Sequence, residues 1–435
     1  MNLFEFTLQL NRFPIKEAKE RLVKIQAIPE GEYETYIKKQ RQKIVDYHLK
    51  NNTFYQKFIG ENKIKNWEDI PIITKRDLQI PLQERLSNGY TKKTCYVSKT
   101  SGSSGQPLIF AKDKLCHAFT WAEIMDRFNW IGVNFNNTLQ ARFYGIPLDF
   151  KNNLKEKVKD FLSHRIRFSI FDLSNEKLEQ FLVTFKKQKF YFINGHTSSI
   201  VLFAKYLKSK NIILTDVCPT LKYCVVTSEM LYPKDKTVLE EVLNVPIINE
   251  YGASELDLIA FTNKQDDFIV NSETLFVEII DDENLPVPNG MPGRVIITSL
   301  YNKAHPLIRY EVGDLGILSQ LSTFKTPIIQ KLIGRSNDIV QLPSGKIVPG
   351  HTFYYVTKSV IEDDGNVKEF IIEQHKLDAF HIVYVSEIAL SSNEIIKIKK
   401  SLSDYLENKL HLSFERVEVL NRSKRGKLKQ FISKL

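Results

Sequence analysis

The sequence predicts an α/β protein: a large N-terminal domain of helix-flanked β-sheet with a small β-barrel-like subdomain, followed across a hinge by a small, mobile α+β C-terminal domain. Three observations predict it. Short β-branched or aromatic runs alternate with helical stretches between residues 95 and 248. The texture turns to strands and turns after Thr274. The composition changes again near Gly334, which puts the boundary between residues 1–333 and 334–435.

Taken in order, Tyr36, Ile37, Ile44, Val45 and Leu49 recur at helical spacing among Lys, Arg and Gln, predicting a surface amphipathic helix over 36–58. A strand at 95–97 leads into a Gly/Ser loop, a second strand follows at 108–111, and 116–130 is helical. Strand 190–193 precedes a helix at 198–208, strand 223–226 a helix at 234–243, and Ile247-Ile248 a polar turn. Strand followed by helix, repeated, is the pattern of a parallel sheet, whose ligands bind at the carboxyl ends of strands. Beyond Thr274, strands at 275–280 and 294–298 flank the turn 281–284 and read as antiparallel. The last unit combines strands at 369–373, 380–385 and 415–420 with a helix at 393–409.

A chain of 435 residues suits two or three domains. With 43% hydrophobic and 26% charged residues it has the balance of a folded core, which excludes wholesale disorder. No apolar run approaches the roughly 20 residues of a membrane span. The start, Met1-Asn2-Leu3-Phe4-Glu5, sets an acid where a signal peptide needs basic residues, so a cytoplasmic location is expected. Cys95, Cys116, Cys218 and Cys224 form no CxxC pair and no four-ligand zinc set, which suits a reducing compartment. The net charge of +10 is spread along the chain, and its densest run, 422–434, is broken by Gly426, Leu428, Phe431 and Ile432. Dispersed lysines of this kind form a solvated face rather than a nucleic-acid stripe, so nucleic acid is not an expected partner.

The standard nucleotide fingerprints fail. Gly426-Lys427 is followed by Leu428 and completes no P-loop, no GxGxxG follows a strand, and neither GxSxG nor HExxH occurs. What stands out instead is Thr100-Ser101-Gly102-Ser103-Ser104-Gly105-Gln106-Pro107 after a predicted strand. Its glycines let backbone N–H groups turn toward an anion and its hydroxyls add donors, so it fits triphosphate oxygens as well as a plain connector. In Ile248-Asn249-Glu250-Tyr251-Gly252-Ala253-Ser254-Glu255, Glu255 fits a phosphate-bound Mg²⁺ and Tyr251 a purine face; a solvated acid and a core tyrosine fit the same residues. The run from Pro306 to Gly316 sets Asp314 between glycines, where a carboxylate accepts hydrogen bonds from a ribose diol or closes a β-turn. Gly334-Arg335-Ser336-Asn337-Asp338 lies at the boundary, and Arg422-Ser423-Lys424-Arg425-Gly426-Lys427 near the C-terminus.

In this order the five stretches resemble the adenylate-forming superfamily of acyl-CoA synthetases, peptide-synthetase adenylation domains and luciferases, and most of all its shorter branch of phenylacetate-CoA ligase-like and CapK-like proteins. The resemblance runs from the 47–55 region to Lys427, and like that branch the sequence has no Lys shortly after Pro107. It implies that Ser101, Gly102, Ser103, Ser104 and Gly105 grip the β- and γ-phosphates of ATP. Ser228 and Glu229 match the segment lining the adenine side, and Tyr251 flanks adenine in a motif shared with Gly252 and Ser254. Glu255 holds Mg²⁺, Asp314 binds the ribose hydroxyls, and Arg335 lies near ribose and phosphate. Lys427 is the mobile-domain lysine that reaches the α-phosphate and the substrate carboxylate. Asn194, Gly195 and His196 occupy the place of the acyl pocket, with His196 either near the carboxylate or structural. Asn337 stands where relatives usually carry Asp or Lys at the hinge.

The activity so implied is ATP- and Mg²⁺-dependent conversion of a carboxylic acid to acyl-AMP with release of pyrophosphate, then transfer to CoA, another thiol, an amine or a carrier protein. An amide-forming enzyme of polysaccharide or secondary-metabolite biosynthesis acting without CoA fits the same motifs. A non-enzymatic nucleotide or nucleic-acid binder is the rival from another class, opposed by the retention of Glu255, Asp314, Arg335 and Lys427. The aromatic and apolar content of 144–147 and 191–196 suits an aryl or medium acyl group, with polar acids left open.

Overall fold

The computed structural model describes residues 3–61, 64–100, 108–145, 150–170, 173–335, 339–344, 347–349, 367–405, 410–421, 428 and 431–435. The chain divides into two compact units, residues 1–312 with 316–331, and residues 313–315 with 332–435.

A parallel sheet frames the first unit. Strands Arg165–Phe168, Gln140–Phe143, Phe192–His196, Tyr223–Thr227 and Ile247–Ala253 lie side by side in that order. The chain lays down Gln140–Phe143 first, steps to the edge, and then returns past it. Strand order therefore reverses between Gln140–Phe143 and Phe192–His196, and in open α/β sheets the ligand crevice opens at the carboxyl ends beside such a reversal.

Alternation along the strands assigns the two faces. Ala141, Phe143, Phe168, Ile193, Cys224, Val226 and Ile247 point into an apolar core shared with residues of helices Asn175–Lys187, Thr197–Ser209 and Pro233–Leu243. On the opposite face Phe192, Val225 and Ile248 pack with Phe128, Val133, Leu258 and Phe261. Phe128 comes from helix Lys114–Asn129, which starts where it does because the Asp113 carboxylate accepts from the N–H groups of Leu115 and Cys116 at 3.0 Å.

The sheet does not stop at Ala253. It continues through Asp257–Thr262, Phe268–Val270, Ile328–Arg335, Tyr310–Leu318 and Pro292–Ser299 to Leu275–Ile280, so the antiparallel strands expected as a barrel-like unit are hydrogen-bonded in one run with the parallel set. The predicted polar turn after Ile248 is strand as far as Ala253, because Glu250 and Tyr251 pair with Phe261 and Ala260 of the returning strand. The predicted 36–58 helix is two, Glu30–Asn51 and Thr53–Ile59. Asn52 breaks them apart and caps the second through the Tyr55 N–H at 2.8 Å. Before them, Leu3–Leu10 and Ile15–Gln26 contribute Phe4, Leu8, Ile15, Ala18 and Leu22 to a core with Ala118, Phe119 and Ala122.

In the second unit Val367–Gln374 and Ala379–Ser386 pair antiparallel, flanked in parallel by Phe431–Ser433 and His411–Arg416, with helix Ser392–Tyr405 between. The strand expected at 415–420 thus starts earlier. The apolar residues that suggested it have another use, since Leu420 packs beyond the strand end with Ile371 and Leu428. All four cysteines are free. Among the described residues no helix is long and apolar enough to cross a membrane.

Candidate active site

At the carboxyl ends of the parallel strands the second sheet face turns from apolar to polar. Register sets Arg142 beside Asn194, Asn194 beside Val225, His196 beside Thr227, and Thr227 beside Glu250. Asn194, His196 and Thr227 are buried, so their polar atoms need partners. The Asn194 side chain accepts from Gln140 at 3.2 Å and donates to the Val225 carbonyl at 3.3 Å, and Thr227 Oγ1 donates to the Glu250 carboxylate at 3.2 Å. Burial pushes the Glu250 carboxyl up to about 7, against the opposing pull of the Thr227 hydroxyl and of Arg142. His196 lies 4.9 Å from the Tyr144 ring, with Nδ1 4.0 Å from Glu229 Oε1. Glu229 is fixed in turn by the Ser198 N–H, which donates to its Oε2 at 2.8 Å.

Backbone geometry makes this close weave possible. A Cβ on Gly195 would sit 2.4 Å from the Phe143 carbonyl oxygen on the neighbouring strand, so only glycine lets these two strand ends approach. Ser228, the residue after strand Tyr223–Thr227, has φ of 74°, a conformation costly for a residue with a side chain and concentrated at functional turns.

The Glu255 turn lies at the end of the adjoining strand. Glu255 is buried and its Oε1 accepts from the Tyr310 hydroxyl at 2.7 Å. Two residues on, Asp257 forms an ion pair with the buried Lys112. Lys112 ends strand Ile109–Lys112, whose antiparallel partner Tyr96–Lys99 lies on the other side of the Gly/Ser loop. Lys112 pairs with Tyr96 at the end of the ribbon away from the loop, so the ion pair ties the base of the ribbon that carries the loop to the turn carrying Glu255. The loop strands form a separate two-stranded ribbon and not part of the parallel sheet. Ser101, Gly102, Ser103, Ser104 and Gly105 themselves lie outside the described residues.

The structure thus brings Asn194, Gly195, His196, Ser228, Glu229, Tyr251, Gly252, Ser254 and Glu255 to the ends of three adjacent strands. Tyr251 is buried, its ring edge-on to Phe268 at 6.3 Å. Asp314 sits within strand Tyr310–Leu318 beside Gly313 at φ of 87°, rather than in a turn. Arg335 ends strand Ile328–Arg335, and its side chain lies outside the description, as do Asn337 and Lys427. Sequence reasoning missed Arg142, Gln140 and Lys112. Their signal was faint: polar residues alternating with Ala141 and Phe143 in one strand, and a lysine closing an otherwise apolar one.

Among the described residues no group of three His, Cys, Asp or Glu side chains could hold a metal ion. The single carboxylate of Glu255 is of the kind by which Mg²⁺ is commonly held together with substrate phosphates and water. A separate groove of about 630 Å³ on the second unit gathers His375, His381 and His411. Each already faces a carboxylate, Glu373, Glu415 and Asp378 respectively, and none of the residues singled out above lines it.

No family model matches the chain. It is 23% identical over 413 residues to Protein CapK of Staphylococcus aureus, covering 89% of this chain and 86% of that one. It is 28% identical over 139 residues to the phenylacetate-coenzyme A ligase of Thermus thermophilus, a match spanning only 30% of this chain and 31% of that protein. Among solved structures, 2-hydroxyisobutyryl-CoA ligase in the postadenylation state superposes with a TM-score of 0.70 at 17% identity, over 93% of this chain and 90% of that one. The amide bond synthetase McbA of Marinactinospora thermotolerans superposes with a TM-score of 0.53 at 14% identity, over 77% and 68% of the two chains.

Proposed function

We propose that this chain is an adenylate-forming, CoA-ligase-like enzyme that activates a carboxylic acid with ATP and Mg²⁺ to an acyl-AMP and passes the acyl group to a thiol or amine acceptor. The observation that carries the reading is the Lys112–Asp257 pair, which fastens the two-stranded ribbon bearing the Gly/Ser loop to the Glu255 turn beside the ends of the parallel strands. Phosphate donors and a single hard carboxylate are what an activated triphosphate needs in one place.

A carboxylate attacking the α-phosphorus meets repulsion from the phosphate oxygens, so positive charge and oriented donors must be in place beforehand. In this reading residues 101–105 grip the β- and γ-phosphates, and Ser228, Glu229 and Tyr251 border the adenine. Asp314 accepts from the ribose hydroxyls near Arg335. Glu255 is the residue that would hold Mg²⁺, whose charge would neutralise the phosphate oxygens. Lys427 donates to the α-phosphate as its charge builds. The acid's oxygen bonds to phosphorus while the bond to the bridging oxygen breaks, and that electron pair leaves with pyrophosphate. The acceptor's sulfur or nitrogen then bonds to the acyl carbon and gives up its proton, and AMP departs with the electrons of the acyl–oxygen bond. Residues 1–333 would form the adenylation domain and 334–435 the mobile domain, turning at Asn337 to withdraw Lys427 between the two steps. We place the enzyme in the cytoplasm, in keeping with its four free cysteines.

A pyrophosphate-release screen over a panel of acids tests the reaction class. Lys427→Ala is expected to lower acid-dependent ATP–pyrophosphate exchange on the order of 100-fold or more while ATP still binds. Exchange at the wild-type rate in that variant removes the lysine from the chemistry. Running the screen with and without CoA and with amine acceptors, and weighing the products, separates thioester from amide formation.

A further inference from the structure

Arg142 is the one arginine of the parallel-sheet face left without an ion partner among the described residues. Its neighbours are fully compensated: Arg165 pairs with Asp160 at 2.5 Å, and Arg167 pairs with Glu156 at 2.7 Å and Asp160 at 2.8 Å. Two arginines thus meet two carboxylates, and Arg142 adds a further positive charge that no described carboxylate approaches within ion-pair distance, Glu250 acting on it only at longer range. Its guanidinium lies over the Tyr144 ring at 3.9 Å, and its Nε is buried without a hydrogen-bond acceptor. A buried donor lacking an acceptor is costly. Arg127, Arg294 and Arg309 share an unpartnered Nε, but each has a carboxylate within ion-pair distance, which Arg142 lacks among the described residues and a ligand would supply. The stacking on Tyr144 holds the planar fork in place before any ligand arrives.

Its position in the fold says which ligand. Arg142 projects from the strand at the order reversal, one strand over from Asn194. The strand leading to Glu255 is three strand spacings away, about 14 Å, with His196 and Thr227 on the strands between. A group at Arg142 is therefore set apart from the triphosphate and from the carboxylate that attacks it. Among the described titratable side chains on this floor, His196 lies beside Tyr144, and Glu250 is held by burial up to about 7, so near neutrality it repels an anion less than an ordinary carboxylate does.

We propose that the acid this chain activates carries a second anionic group, as a dicarboxylate or a phosphorylated or sulfonated acid does, and that Arg142, stacked on Tyr144, is the side chain that holds it. The proposal rests on the acid-activation reading above and narrows its substrate class.

The test pairs acids that differ only in the second charge, glutarate with butyrate and phthalate with benzoate, and uses the full chain. Wild type is expected to release pyrophosphate with the dianionic member of a pair at a kcat/KM at least about 10-fold above its partner. Arg142→Gln is expected to bring that ratio down to within about 2-fold of one, and Arg142→Lys to restore part of it. Titration calorimetry of the same acids against wild type and Arg142→Gln supplies a second readout that needs no turnover. Dicarboxylate binding lost in Arg142→Gln, without pyrophosphate release by any acid, supports the anion site and sinks the activation reading. Pyrophosphate release with no preference for the second charge, or a preference that survives in Arg142→Gln, overturns the anion site and leaves activation standing. Absence of calorimetric binding for every dianionic acid to wild type likewise overturns it.

Discussion

The Tyr310 hydroxyl donates to Glu255 Oε1 at 2.7 Å, with both side chains buried. A carboxylate held this way keeps one oxygen committed to the protein and presents the other in a fixed direction, the arrangement by which outer partners orient a metal ligand. Tyr310→Phe removes the donor and little else. The Mg²⁺ concentration for half-maximal pyrophosphate exchange should rise about 10-fold, and stability should fall by about 1–2 kcal/mol. Loss of stability with an unmoved Mg²⁺ titration would make the bond structural only.

The Lys112–Asp257 pair gives a second prediction. Lys112 is 2% exposed. Burial works against its charge, but Asp257, with Cys116 and Tyr96 adding to it, holds the ammonium above its ordinary range. Lys112→Met strands a carboxylate beside the Glu255 turn and should cost about 3 kcal/mol, at the lower end for a broken buried pair because Asp257 is partly exposed. Lys112→Met with Asp257→Asn should recover much of that loss in urea unfolding, and the double-mutant cycle should give a coupling above about 1 kcal/mol. Strictly additive single effects would dissolve the clamp between the loop-bearing ribbon and the Glu255 turn.

Much of this site was legible before any coordinates. Strand and helix alternation marked three of the five parallel strands within a few residues, since Phe192, Ile193, Val225 and Val226 carry both the β-branched or aromatic character and the punctuation around it, whereas Gln140–Phe143 and Arg165–Phe168, with polar residues at alternate positions, went unread. The motif residues Ser228, Glu229, Tyr251 and Glu255 fell at strand ends, where a parallel sheet delivers them together. Arg142 was not legible, because its meaning depends on register with Asn194 and on having no described carboxylate within ion-pair distance, neither of which is a local property of the chain. Glu250 was hidden for a related reason. Read as a polar turn, the 249–253 stretch gave no alternation, so the burial that gives Glu250 its unusual proton affinity had no local sign.

Gly195 tests how tightly the strand ends are woven. Its missing side chain would press on both the carbonyl oxygen and Cα of Phe143, at 2.4 and 2.9 Å, and backbone on a central strand cannot swing aside as a flexible side chain can. Gly195→Ala is expected to cost about 2–3 kcal/mol in denaturant unfolding and to displace Asn194 and His196 on either side of it. A variant as stable as wild type would mean that the two strands separate more easily than this packing implies.

Glu250 ties stability to pH in a direction opposite to that of an ordinary surface acid. In the unfolded chain its carboxyl titrates near 4.3; in the folded protein burial raises it to about 7, with Asp257 adding to the rise and the Thr227 hydroxyl and Arg142 opposing it. Between those values the folded form holds a proton that the unfolded form has released. The stabilisation is complete below about pH 4.3 and drains away as pH climbs through 7. Buried His48 and His117, each pushed down to about 4, act in the other sense: the unfolded chain binds their protons first, so they withdraw stability as pH falls below about 6.5. Both histidines remain in Glu250→Gln, so their contribution cancels when the variant is compared with wild type at each pH. Gln keeps the size and hydrogen bonding of the neutral acid without titrating. The two proteins should unfold at similar urea concentrations at pH 5, and at pH 8 the variant should be the more stable by about 1–3 kcal/mol. A stability difference that stays constant from pH 5 to pH 8 would show that this carboxyl titrates alike in the folded and unfolded chains.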